Sequence, residues 1–197
     1  SGWPAEFFAE RVWRVRRPVP EPELVAEVAR RLARARRPLV VCGGGVVYSG
    51  ASAELAAFAR RYGVPVVESQ AGKGALSRDH PSNAGAGGAA GGLAANRLAA
   101  DADLVIAVGT RLGDFVTASK TAFQDPGVEF VSINVAAADA GKLRSLPLVA
   151  DAKRALERLG AELAAGGWTG APQPWRGGGK GRNGRMGRAL DVPGPGA

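Results

Sequence analysis

Five short runs, "PLVVC" (38–42), "VPVVES" (64–69), "DLVIAVG" (103–109), "VEFVSINV" (128–135) and "LPLVAD" (146–151), are apolar along most of their length instead of alternating with polar residues. A strand with water on one face alternates, so these runs read as strands covered on both faces. Helical segments separate them. "EPELVAEVARRLARARRP" (21–38) puts Leu24, Val25, Val28 and Leu32 on one face and its arginines opposite. "ASAELAAFARRYG" (51–63), "GGLAANRLAADA" (91–102) and "AKRALERLGAELAA" (152–165) are helical as well. Strands that alternate with helices pair in parallel through right-handed crossovers. The expected fold is α/β: an open, doubly wound, Rossmann-like parallel sheet of five or six strands.

In such sheets ligands bind beyond the C-terminal strand ends, where the strand order reverses. The candidate rim is therefore Gly43, Gly44 and Gly45 after the first strand, with Gly109, Thr110 and Arg111 after "DLVIAV". A dinucleotide fingerprint needs a third glycine where helix meets strand. Tyr48 stands there, and the helix reads as starting only near Ser49 to Ser52. Glu68 could accept a ribose hydroxyl or be a solvated strand end. A stand-alone NAD-binding module of deoxyhypusine-synthase or sirtuin type is thus one reading of the rim.

Other chemistry finds less support. "QAGKGAL" (70–76) is no Walker loop, since Gly74 follows Lys73 and Val67 replaces the first glycine. His80 is the only histidine and Cys42 the only cysteine, so neither a metal centre nor a catalytic dyad is expected; Cys42 reads as a buried small hydrophobe. No catalytic or metal-binding residue is assigned.

The formal charge is +8, but the segment from Trp168 onward holds five basic residues and one acid, hence half of the excess. That Gly/Arg/Pro-rich segment lacks apolar periodicity and is expected to be disordered and packed against nothing. An RNA-binding arm is disfavoured, because aromatic interleaving is limited to Trp168 and Trp175. With neither a signal-peptide core nor a membrane-length apolar run, the chain reads as cytoplasmic. Its only methionine is Met186, so it reads as a piece of something longer.

The order of four stretches, "VPVVESQAGKGALSRDHPSNAG", "AANRLAADADLVIAVGTRLGDF", "VEFVSINVAAADAGK" and "LPLVADAKRALERL", resembles the central domain of thiamine-diphosphate-dependent enzymes, the family of acetolactate synthase and benzoylformate decarboxylase. Within that family "EFFAERVWRVRRPVP", "AGKGAL", "VGTRLGDF" and "INVAAADAGKLRSLPLVADA" look like the branch that hydrolytically opens a cyclic trihydroxy-dione in myo-inositol catabolism. The resemblance divides the chain into a connecting segment (1–20), the central domain (21–165) and a tail (166–197), which departs from the family pattern as a linker or an out-of-frame reading would. It implies thiamine diphosphate and Mg²⁺ in the full-length enzyme, a small cyclic dione as substrate and a homodimer or homotetramer. It also implies that the catalytic glutamate and the metal-diphosphate motif lie in other domains. FAD is disfavoured, because FAD-binding members carry acids where this chain has Asn134 and Ala136. The isolated segment is then expected to be an inactive scaffold.

Overall fold

The computed structural model describes residues 2–171. Six strands form one parallel sheet: β1 (Pro38–Cys42), β2 (Val66–Glu68), β3 (Asn83–Ala86), β4 (Leu104–Val108), β5 (Glu129–Asn134) and β6 (Leu146–Val149). Their order is β3-β2-β1-β4-β5-β6. The crossover direction reverses between β1 and β4, which pair from Pro38–Leu104 to Cys42–Val108, and this is the dinucleotide-fold order.

The helices cover both faces, which explains the continuously apolar strands. On one face Val40, Val66, Ile106 and Ile133 meet α1 (Pro22–Arg34), α3 (Ser52–Tyr62) and α7 (Ala152–Ala165). On the other, Leu39, Val41, Val105 and Ala107 meet α4 (Leu93–Asp101) through Ala95, Leu98 and Ala99. The α1 stripe behaves as its spacing predicts: Val25, Val28 and Leu32 are buried and Leu24 packs beside them. Two of its arginines form ion pairs outside the core. Arg30 and Arg31 pair with Glu27, and Arg31 also reaches Glu129.

Six strands fall within the expected five or six, but one of them went unread and two expectations need correction. The edge strand β3, "NAGA", has neither β-branched residues nor a buried face, and Gly85 takes φ +85° beside a register shift at Val66/Val67; nothing in its composition marks it as a strand. A helix, α2 (Gly44–Ser49), begins within the triple glycine instead of near Ser49 to Ser52. Its sequence, "GGVVYS", has poor helix propensity, so tertiary contacts hold it: Gly45 N–H donates to Gly109 O at 2.9 Å, and left-handed Gly50 closes the helix with bonds to Val46 and Val47. Finally, residues 168–171 are not loose. Trp168 stacks on Tyr62 with ring centroids 5.0 Å apart, and Ala171 N–H donates to Tyr62 O. The rest of the tail lies outside the described residues.

No helix among the described residues is long and apolar enough to cross a membrane. The short helices α5 (Asp114–Thr117) and α6 (Ala137–Ala140) sit at the C-terminal end of the sheet, where they border the site described next.

Candidate functional site

A crevice of about 500 Å³ opens at the C-terminal ends of β1 and β4. Gly44, Gly45, Gly109, Thr110 and Arg111 line it, as the strand-order rule leads one to expect, and Gly43 lies beneath them. Tyr48 and Phe115, 85% and 68% exposed, wall the opening. Lys142 also lines it and pairs with Asp139 at 2.7 Å. Sequence reading missed Lys142, which arrives from the turn after α6, far along the chain from either glycine loop. The available signal was its position just past the end of β5.

The glycines serve backbone packing. A Cβ on Gly45 would stand 2.6 Å from Gly109 Cα, and one on Gly43 would run into Gly109 O and Thr110. Gly72 is pressed against the Cys42 carbonyl in the same way. Three amides that a phosphate could have used are committed: Gly43 N–H to Val108 O, Gly45 N–H to Gly109 O and Gly109 N–H to Ile133 O. The loops after β1 and β4 are thus stitched together across the reversal point.

Neighbouring polar groups are committed too. Glu68 is 3% exposed, so it is no solvated strand end, and its Oε1 accepts from Gly74 N–H at 2.9 Å. Lys73 Nζ stands 3.9 Å from its other oxygen. The carboxylate thereby anchors the 70–76 loop, which Ser69 Oγ further ties by accepting from Gly72 N–H. Asn134, also buried, donates to Thr110 O at 3.2 Å and accepts from Ala136 N–H at 3.0 Å. Both side chains are buried and turned in on the domain's own loops, 3% and 9% exposed, so neither is offered outward to a ribose.

Cys42 is fully buried, and burial pushes its thiol up to about 12, so it stays protonated and inert at neutral pH. His80 lies away from the crevice, its Nε2 against Ala56 O at 3.1 Å and its Nδ1 facing Ser82 N–H. This arrangement suits a neutral imidazole that donates from Nε2. Burial, and then the charge of Arg60, lower its proton affinity from the ordinary value.

No group of three or more His, Cys, Asp or Glu side chains able to hold a metal ion exists among the described residues. A Mg²⁺ ion that bridges a diphosphate takes one or two protein carboxylates, with phosphate and water oxygens completing its shell, and the residues lining the crevice include no carboxylate; this lining therefore does not fit a metal-diphosphate group.

Comparison with known proteins agrees with this anatomy. The sequence profile described as "Thiamine pyrophosphate enzyme, central domain" matches residues 25–159. A 3D-(3,5/4)-trihydroxycyclohexane-1,2-dione hydrolase of Bacillus cereus is 46% identical over 161 residues, which are 82% of this chain and 25% of the relative. The protein of the same name from Clostridium perfringens is 43% identical over 163 residues, covering 83% of this chain and 26% of its own. The chain thus spans about a quarter of the length of these relatives. Benzoylformate decarboxylase from Polynucleobacter necessarius superposes with a TM-score of 0.60 at 22% identity, over 79% of this chain and 31% of that one, and so shares the fold. The profile match covers most of the chain, and the chain belongs to the thiamine-diphosphate (thiamine pyrophosphate) enzyme family as its central domain.

Proposed function

We propose that this chain is the central domain of a thiamine-diphosphate-dependent hydrolase that opens the ring of 3D-(3,5/4)-trihydroxycyclohexane-1,2-dione in myo-inositol degradation. The observation that carries the reading is 46% identity to a hydrolase of that name across 82% of the chain, far above the 22% shared with a decarboxylase of the same fold. The cofactor would supply the carbanion chemistry, with Mg²⁺ holding its diphosphate, and both would be bound outside the described residues. This domain's part is to scaffold and to pack subunits, and it is inactive alone. A cytoplasmic homodimer or homotetramer acting on a small cyclic dione belongs to the same proposal.

The candidate rim takes a role within this reading. Gly43, Gly45 and Gly109 keep the β1 and β4 loops in contact, while Gly44, Thr110 and Arg111 form the floor and edge of the crevice.

The test is a chimera in which the 161-residue segment of the Bacillus cereus hydrolase that matches this chain is replaced by the corresponding part of this chain. Ring opening of the cyclic dione with added thiamine diphosphate and Mg²⁺ is expected for the chimera and not for the isolated chain. A folded chimera that decarboxylates benzoylformate and leaves the dione intact would move the domain to another branch of the family.

A further inference from the structure

The weakest strand of the sheet is fastened by the chain's one histidine. β3 lies at the edge and pairs only with β2; its residues are all half-buried, and its register shifts between Val66 and Val67. Little opposes its release. What fixes its start is the turn before it, where His80 N–H donates to Ser77 O, Asn83 N–H to His80 O, and Val66 N–H of β2 to Ser82 O at 2.8 Å. Asn83 ties the turn back on its loop, its Nδ2 donating to Leu76 O and Ser77 O.

The His80 ring closes this turn onto α3. Its Nε2 stands 3.1 Å from Ala56 O, and its Nδ1 is 3.2 Å from the Ser82 amide nitrogen. A carbonyl only accepts and an amide N–H only donates, so both contacts hold in one protonation state alone, the neutral ring with its proton on Nε2. A second proton goes to Nδ1 and sets a donor against the Ser82 N–H. Ser82 is fully buried and its hydroxyl already lacks a partner, so the amide finds no other acceptor while the turn stays closed. Arg60 acts on the ring from α3, Arg78 and Asp79 precede it in its own turn, and the β2 residue bonded to the turn is the uncharged Val66.

We infer that His80 is an acid-released latch on the edge strand: a proton on Nδ1 breaks the ring's hold on Ser82 and frees β3 together with the loops on either side of it. Burial, with Arg60 second, holds the closed ring below its ordinary 6.5, so the open state takes up the proton first and acid favours opening. The latch is closed above about pH 6.5 and loosens below it. Release reaches the crevice as well. Ala89, just past β3, donates to Phe115 O at 2.8 Å, and Gln70 and Ala71, in the loop before β3, line the opening beside Phe115. Opening of β3 therefore slackens the wall of the crevice while the Gly43, Gly45 and Gly109 amides keep β1 and β4 joined.

Hydrogen–deuterium exchange of the 197-residue chain, resolved amide by amide by NMR and expressed as protection factors, tests the latch. Protection at Val66, Ser82 and Asn83 is expected to fall about fivefold or more between about pH 7.5 and about pH 5. At both pH values it should lie about tenfold or more below that of Gly43 and Gly109, because β3 opens without the rest of the sheet. His80→Asn keeps an acceptor for Ser82 N–H and does not titrate in this range, so it should abolish the fall. Equal protection at the two pH values, or the same fall in His80→Asn, would overturn the latch. So would protection at Ser82 and Val66 that matches Gly43 and Gly109, since β3 would then open only with the whole sheet. Should His80→Asn not fold, proton–nitrogen correlation spectra of the imidazole in the parent chain decide. A proton on Nε2 at about pH 7.5, and a ring titration that coincides with the loss of Ser82 protection, support the latch; a proton on Nδ1, or midpoints about one unit or more apart, overturn it.

Discussion

Gly45 and Gly109 meet backbone to backbone across the point where the strand order reverses, the Gly45 amide donating to the Gly109 carbonyl at 2.9 Å. A side chain on either residue would come within 2.6 Å of the other's Cα, and Gly109 also holds φ at +62°. Gly45→Ala and Gly109→Ala are each expected to cost about 2–3 kcal/mol, through overpacking and, at Gly109, backbone strain. Gly113, which borders the same crevice, has an ordinary φ and open space around it, so Gly113→Ala should stay within about 0.5 kcal/mol of the parent. Urea unfolding of the three variants checks this, and equal midpoints for Gly45→Ala and Gly113→Ala would contradict it.

Asp151 does two jobs with one carboxylate. Its Oδ1 caps α7 by accepting from Lys153 and Arg154 N–H, and its Oδ2 takes the Arg17 guanidinium. Asp151→Ala removes both and should cost about 2–3 kcal/mol, whereas Asp151→Asn keeps the cap and should cost about half as much. Limited trypsin digestion adds a local readout. Cleavage after Arg16 should quicken in both variants, because both lose the ion pair that holds the segment.

The pH dependence of stability should show two acid steps. Burial, with Arg60 second, holds His80 below its ordinary 6.5, so the unfolded chain takes up the proton first as pH falls. The stability linked to His80 is full above about pH 6.5 and declines below it. Glu54 is held below its ordinary 4.5 chiefly by its hydrogen bond with Lys153. Its contribution is present above about pH 4.5 and lost as pH falls through the lower folded value. His80→Asn, which can still accept from Ser82 N–H, should flatten the first step and leave the second. Midpoints of urea unfolding at half-unit intervals from about pH 7.5 to 3.5 measure both.

The sheet was legible in the sequence because a parallel strand covered on both faces writes itself as an uninterrupted apolar run, as in "LVIAV" of β4. What escaped was whatever tertiary contact decides against local preference. "NAGA" becomes an edge strand because β2 offers it a partner, and "GGVVYS" becomes a helix because Gly109 receives its amide. Site residues divide in the same manner. The glycines and Arg111 could be placed from the ends of β1 and β4, which the sequence already locates. That Glu68 turns inward to bind Gly74 depends on the path of its loop, and that Lys142 joins the crevice depends on the turn after α6; neither path has a periodicity to read.

Glu68 offers a direct test of that loop. The carboxylate is buried and accepts from the Gly74 amide, so Glu68→Ala leaves a donor without its acceptor at a cost of about 1–3 kcal/mol. Hydrogen exchange at Gly74 should accelerate about tenfold or more, since about 1.4 kcal/mol of lost protection is a factor of ten. Glu68→Gln retains an acceptor and should recover most of the protection. Unchanged exchange in Glu68→Ala would mean that Ser69 and the Gly72–Cys42 packing hold the loop without the carboxylate.

The isolated chain should bind neither FAD, nor NAD, nor thiamine diphosphate with Mg²⁺ in the micromolar range. A dinucleotide on this strand order needs free loop amides and an acid for the ribose, yet the amides of Gly43, Gly45 and Gly109 are spent within the sheet and Glu68 is spent on Gly74. Asn134, at the end of β5, is likewise committed to Thr110 and Ala136. The remaining cations, Arg111 and Lys142, could attract a phosphate, but an exposed charge pair contributes at most about 1 kcal/mol, far short of the roughly 8 kcal/mol that a micromolar complex requires. Titration calorimetry with each ligand measures this, and weak NAD binding abolished by Arg111→Ala would be consistent with it. A micromolar NAD complex that survives Arg111→Ala would show that the glycine loops open in solution, and the stitched geometry of Gly45 and Gly109 would then describe only one of two states.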